Sequence, residues 1–260
     1  MKRKLPISGV LITFNAASRL EQALESLTSF CQELVVVDSG STDNTVNIAN
    51  RFNARVIQHP FEDFGTQKRF AVNQASHDWV FCLDADEEVS TPLKNAIEKQ
   101  FSQSIENNIA GFENARCNTF LGRFLKYGEG YPDLNCRLFH RQRAQWSNDK
   151  VHEKVQTKPN FKLHRLQGDL LHFSADSLEH YINKQNRYTT IQANELANQG
   201  KQPNVFKIIG SPVTRFIKFY VIKLGFLDGW QGLIHISIGS FFCMIKYAKT
   251  RSISHKKQEN

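Results

Sequence analysis

Short apolar runs alternate with stretches of helical periodicity along the first hundred residues. The segments "ISGVLITF" (7–14), "ELVVVDSGS" (33–41), "ARVIQHP" (54–60) and "DWVFCLDAD" (78–86) read as strands. Between them, 18–30 carries Leu20, Ala23, Leu24, Leu27 and Phe30 at helical spacing, 42–52 opens with helix-capping residues, and 65–75 is helical. Near-continuous apolar strands joined by helices predict an α/β fold, with a mostly parallel sheet covered by helices on both faces. Ligands of such sheets bind beyond the carboxyl ends of the strands. Asn15, Asp38, Asp84 and Asp86 stand at those ends, so one crevice is expected to collect them. From Phe112 to His172 the pattern changes to short strands and loops rich in Arg, Asn, Gly and His, the composition of an elaborated binding edge. Residues 177–197 then read as a polar helix.

The tail has a different pattern. Within 205–249 only Gly229 to Ile245 is free of Asp, Glu, Lys and Arg, and that run includes His235. It is shorter than the ~20 apolar residues of a spanning helix. In 213–227, Arg215, Lys218 and Lys223 fall on one side of a helix otherwise made of Phe, Ile, Tyr, Val and Leu. Such a helix fits the boundary of an anionic membrane, with its apolar face among the headgroups; a helical hairpin packed on the protein also fits. The expected organisation is therefore a domain over 1–200 and a basic amphipathic, membrane-associating tail over 201–260.

Charge sharpens this division. From Lys201 onward there are ten Lys and Arg against two acids, an excess that equals the +8 of the whole 260-residue chain. The basic character thus belongs to the tail and not to a nucleic-acid-binding face, and no recognition motif accompanies it. Five cysteines without a CxxC pair argue against a disulfide framework or a zinc site and point to a reducing, cytosolic setting. The start "MKRKLPISGVLITFN" has the basic opening of a signal peptide, but Pro6, Ser8 and Gly9 interrupt its apolar run, which predicts a buried first strand.

The candidate chemistry lies in "WVFCLDADEEVS" (79–90). Two aspartates one residue apart at a strand end project toward the same side, and hard oxygen ligands there suit Mg²⁺ or Mn²⁺ together with substrate phosphates. Glu87 and Glu88 have a plainer expectation, as acids in the first turn of the helix that follows. Taken alone, the aspartate pair fits a cation site and a helix start equally. "VVVDSGSTDNT" (35–45) repeats the form, delivering Asp38 to a strand end before a small-residue loop; Ser41 and Asp43 there are N-cap candidates. GxxxxGK[ST], GxGxxG and GxSxG are all missing, and "HEKVQ" (152–156) is not HExxH.

These segments, with "ITFNAASRLEQALESL" before them and "GTQKRFAVNQASHDWVFCLDADEEV" after, resemble the family 2 glycosyltransferases of GT-A fold over residues 6–100. Further on, "NCRLFHRQRAQWSNDKVHEKV" (135–155) and "LLHFSADSLEHYINKQNRYT" (170–189) resemble the branch that adds glucose to inner-core heptose of bacterial lipopolysaccharide. The resemblance implies a Rossmann-like GT-A sheet and an inverting hexosyltransferase. Its donor would be UDP-glucose or another UDP-sugar, its acceptor a lipid-linked oligosaccharide, and its place the cytosolic face of the inner membrane. It further implies that Thr13, Asn15, Asp38, Lys68 and Asp84 meet the nucleotide-sugar, with Asp38 on the uridine and Asp84 on the ribose or a metal-bound water. Asp86 and His172 would hold the divalent cation, with His152 the other histidine weighed, and Glu153 would be the base. Lys68, Arg69 and Arg137 can neutralise a diphosphate, with solvated surface roles equally open. Two other classes fit the pattern less well. A nucleotidyltransferase would need a Gly-rich, Lys- or Arg-bearing loop where "FNAASRL" stands; a non-catalytic membrane-surface protein would leave the three aspartates without a reason.

Overall fold

The structure, a computed structural model, describes residues 4–149, 153–174 and 177–259, the last four as backbone only. Its contacts divide the chain into two units, one of 1–117 with 132–172 and the other of 118–131 with 173–260.

In the first unit, β1 (Leu5–Thr13), β2 (Cys31–Asp38), β3 (Arg55–Gln58) and β4 (Trp79–Asp84) form a parallel block in the order β3-β2-β1-β4. The strands are apolar on both faces, and period-two alternation sorts their side chains. Ile7, Leu11, Val36, Phe81 and Leu83 face one core with α1 (Leu20–Thr28), α2 (Thr45–Arg51) and α4 (Thr91–Phe101). Val10, Val35, Val37, Val80 and Cys82 face the other with α3 (Phe64–Asn73). A nine-residue helix such as α1 is marginal alone. Burying Leu20, Leu24 and Leu27, each contributing about 1.5–3 kcal/mol, is what holds it.

Beyond β4 the sheet turns antiparallel, through β8 (Asp133–His140), β6 (Ile109–Phe120), β11 (Lys162–His172) and β5 (Glu87–Val89). The last of these corrects the sequence reading. Glu87 and Glu88 belong to a strand paired with β11, not to a helical first turn; α4 begins only at Thr91, capped by Ser90, whose Oγ accepts from Leu93 N. Gly168 makes room for this arrangement: its φ of +99° is left-handed, and a Cβ there would strike the Leu93 and Pro92 backbone. β9 (Ala144–Trp146) and β10 (Val155–Thr157) form a separate antiparallel pair. The short β7 (Arg123–Phe124) returns on the end of β6 within the second unit.

The second unit is largely helical, with α5 (Leu178–Asn198), α6 (Val205–Phe216) and α7 (Gly229–Glu259). Here 213–227 is not one helix. α6 runs into a π-helical segment, Ile217–Ile222, then breaks at Leu224 with φ +57° before a 3₁₀ turn, Gly225–Asp228. The break has local causes. Gly225 lies too close to Ile236 and Phe219 for any side chain, and buried Asp228 accepts the backbone N–H groups of Lys126 and Tyr127. Arg215, expected over lipid, instead pairs with Glu129. No helix among the described residues is long and apolar enough to cross a membrane.

Candidate active site

All the predicted site residues lie in the first unit. Parallel register sets the frame: Thr13 is opposite Asp38 across β1–β2, and Ile12 is opposite Asp84 across β1–β4. The two aspartates therefore flank the carboxyl end of β1, as the apolar runs predicted.

Asp38 is fully buried, and its carboxylate is filled by its own chain. Oδ1 accepts from Thr13 Oγ1 at 3.0 Å and Ser41 Oγ at 2.5 Å; Oδ2 accepts from Gly40 N at 3.0 Å and Ser41 N at 2.9 Å. Burial favours the neutral acid, but the Ser41 and Thr13 hydrogen bonds outweigh it and hold the carboxyl below its usual value. Asn15, left-handed at φ +49°, takes up the next link. Its Oδ1 accepts from Thr42 N at 2.8 Å, and its own N–H donates to Ser41 Oγ at 2.8 Å. Asp43 Oδ2 accepts from Ala17 N, so the loops after β1 and β2 are stitched into one piece. Ser41 and Asp43 are thus loop ties, while the α2 N-cap position is Asn44.

At the end of β4, Asp84 stands between two buried cations. Lys68 Nζ lies 2.9 Å from Oδ1, and Arg137 Nη2 lies 2.6 Å from Oδ2. The same Arg137 nitrogen donates to Glu87 Oε1 at 2.6 Å, and Glu87 Oε2 accepts from Asp84 N at 3.1 Å. Burial alone would push the Asp84 carboxyl up; Arg137 and Lys68 together hold it well below the carboxylate range. Burial does push Glu87 up, with Arg137 opposing. Arg137, weighed as a surface residue or a diphosphate contact, is an internal bridge, 4% exposed. Glu87, expected as a first-turn acid of a helix, instead belongs to the site, and the pairing of β5 with β11 explains both of its roles. It buries Glu87, and by setting His172 opposite Glu87 it brings His172 Nε2 to 3.2 Å from Asp86 Oδ2.

Asp86 and His172 give one carboxylate and one imidazole, with the Asp86 side chain 46% exposed. An open pair of this kind suits a divalent cation whose other positions are filled by phosphate and water. No group of three or more His, Cys, Asp and Glu side chains able to hold a metal occurs among the described residues. His152 lies outside the described residues. Glu153, just before β10, meets Lys68 Nζ at 2.9 Å through Oε1.

A family model for glycosyl transferase family 2 matches residues 8–158. The lipopolysaccharide core biosynthesis glycosyltransferase LpsC of Rhizobium meliloti is 31% identical over 95% of this chain and 92% of its own. The chain belongs to glycosyl transferase family 2. An uncharacterized glycosyltransferase of Rickettsia prowazekii is also 31% identical to this family 2 enzyme, over 97% of this chain and 89% of that one. Among solved structures, S. aureus TarS 1-349 in complex with UDP is similar over 99% of this chain and 92% of that one, at 16% identity and TM-score 0.49.

Proposed function

We propose that this family 2 glycosyltransferase moves a sugar, glucose by resemblance, from a UDP-sugar to a core heptose of lipopolysaccharide, with inversion. The observation that carries this reading is the linked set Glu153–Lys68–Asp84, two residues from the open Asp86–His172 pair: a candidate base is tied directly to the donor end of the sheet. The relation to LpsC supports the acceptor class.

Glu153 takes the proton of the acceptor hydroxyl. The oxygen so freed bonds to the donor C1 as the C1–O bond to UDP breaks on the opposite face, which inverts the anomeric centre. Asp86 and His172 would hold the cation, and Asp38 with Thr13, Asn15 and the stitched loops shapes the nucleotide end. When bound, a divalent cation supplies positive charge against the departing diphosphate. Turnover of a panel of nucleotide-sugars on a heptose acceptor, with Mg²⁺, Mn²⁺ or chelator, tests the assignment. UDP-sugars should be preferred and chelation should stop transfer. Asp86→Ala should lower kcat/KM by about 10²-fold, the scale on which one electrostatic contact to the developing charge acts. Undiminished transfer by that variant would remove Asp86 from the site.

The second unit supports the membrane part of the reading. Phe206, Ile209, Val213, Ile217 and Val221 recur every three or four residues along α6 and its π-helical continuation, all exposed, Phe206 at 88%. Lys207, Lys218 and Lys223 are exposed along the same segment, and Trp230, Leu233 and Phe241 add an exposed stripe on α7. An apolar surface of this extent with interspersed cations fits an anionic bilayer interface. Phe206→Asp with Ile209→Asp should weaken flotation with anionic vesicles by about tenfold or more, from the apolar burial lost. Equal flotation of the variant would refute this docking face.

A further inference from the structure

Lys68 is 6% exposed on α3, and its ammonium has three N–H groups to place. Two of its directions are taken by Asp84 Oδ1 and Glu153 Oε1, each at 2.9 Å. On a further side it stands over the Trp146 ring, 4.7 Å from the centroid. A diphosphate oxygen at this nitrogen would compete with two carboxylates already held at 2.9 Å, on a side chain that is almost fully buried. Glu153, by contrast, lies just before β10, outside any regular element, and a side chain carried on a loop is placed less precisely than one on a helix or strand. α3 supplies what the loop lacks. Arg69, the next residue, donates from Nη1 to Ser147 O, and Ser147 closes the loop by donating from its backbone N to Lys154 O and accepting Lys154 N on Oγ. Asp63 caps the helix by accepting from Thr66 N at 2.7 Å, so both anchors start from a fixed element.

We infer that Lys68 is a positioning residue for the transfer reaction, which fixes the Glu153 carboxylate and ties it to donor-side Asp84, and does not itself bind the diphosphate. The inference rests on the reading of Glu153 as the base. Through Lys68 the chain runs Glu153–Lys68–Asp84–Arg137–Glu87, alternating in sign from the acceptor-side carboxylate to the buried strand β5. The orientation of the base is thereby set by the same aspartate that ends β4.

The test is a double-mutant cycle with a binding readout, on the full chain. Lys68→Met should lower kcat by about 10–100-fold, the range expected when a catalytic group is merely misplaced. UDP affinity, measured by calorimetry, and the donor KM should stay within about threefold. Lys68→Arg should restore most of kcat, and it also serves as the readable variant if the Met substitution folds poorly. In a Glu153→Gln background, Lys68→Met should cost less than about threefold more, because its effect passes through Glu153. Weakened UDP binding in Lys68→Met, by tenfold or more, would overturn the inference while leaving the base reading standing. So would an equal kcat loss in both backgrounds, which marks a general structural role. Full turnover by Glu153→Gln would overturn the base reading itself, and this inference with it.

Discussion

Glu153→Gln is expected to lower kcat by about 10²–10⁴-fold, the usual contribution of a positioned general base. The donor KM should change by less than about threefold, because the amide keeps the shape of the carboxylate and the nucleotide contacts are elsewhere. Gln retains an oxygen to accept from Lys68 Nζ, so the 2.9 Å link and the loop it anchors can persist. What is lost is the capacity to take a proton from the acceptor hydroxyl. The protein should remain folded, since Lys68 keeps Asp84 as its other partner at 2.9 Å. Steady-state kinetics with a saturating heptose acceptor, beside a thermal melt, separates the two effects. A variant with a normal melt and turnover within threefold of the parent would place the base elsewhere.

The sequence carried the parallel half of the sheet because its strands centre on short apolar runs, such as 10–12, 34–37 and 80–83, that end at a polar stop. Thr13, Asp38 and Asp84 stand where those runs end, and parallel register alone sets Asp38 opposite Thr13 and Asp84 opposite Ile12. The antiparallel half was less legible, since its pairings join segments far apart in the chain. Nothing near Glu87 announces that β11, some eighty residues later, will lie beside it; "DEEVSTPL" reads as readily as a helix start. One local signal was there, since Ser90 followed by Thr91 and Pro92 is the more ordinary helix opening. Arg137 was ambiguous for the same reason. Its burial follows from Leu138 of β8 pairing with Phe81 of β4, a contact no periodicity encodes. In the tail, Lys218 and Lys223 are exposed as their spacing suggested, but 213–227 is not one helix and Arg215 is not among the outward cations. The break at Leu224 and the inward turn of Arg215 depend on Gly128, Glu129 and the backbone of 126–127, which lie nearly a hundred residues earlier.

Removing the internal bridge should be the most damaging single change to stability. Arg137→Met keeps much of the side-chain volume but takes away the one guanidinium nitrogen that lies 2.6 Å from both Asp84 and Glu87. Glu87 is 1% exposed, and its next cation, Arg116, is 3.8 Å away. Lys68 remains for Asp84 but is shared with Glu153. Breaking a buried pair by deleting one partner costs about 3–5 kcal/mol, and that is the loss expected in urea unfolding. The pH dependence gives the charge account its own sign. Burial already raises the Glu87 carboxyl in the intact protein, and losing Arg137 removes the main opposing influence. A carboxyl whose folded value lies above its unfolded one contributes stability at low pH that is lost as pH rises through the folded value. The variant's deficit should therefore be smaller at pH 5 than at pH 8. A deficit equal at both, or below about 1 kcal/mol, would mean that Arg137 acts by packing against Trp146, 5.8 Å from its ring centre, and not as the counter-charge of the two acids.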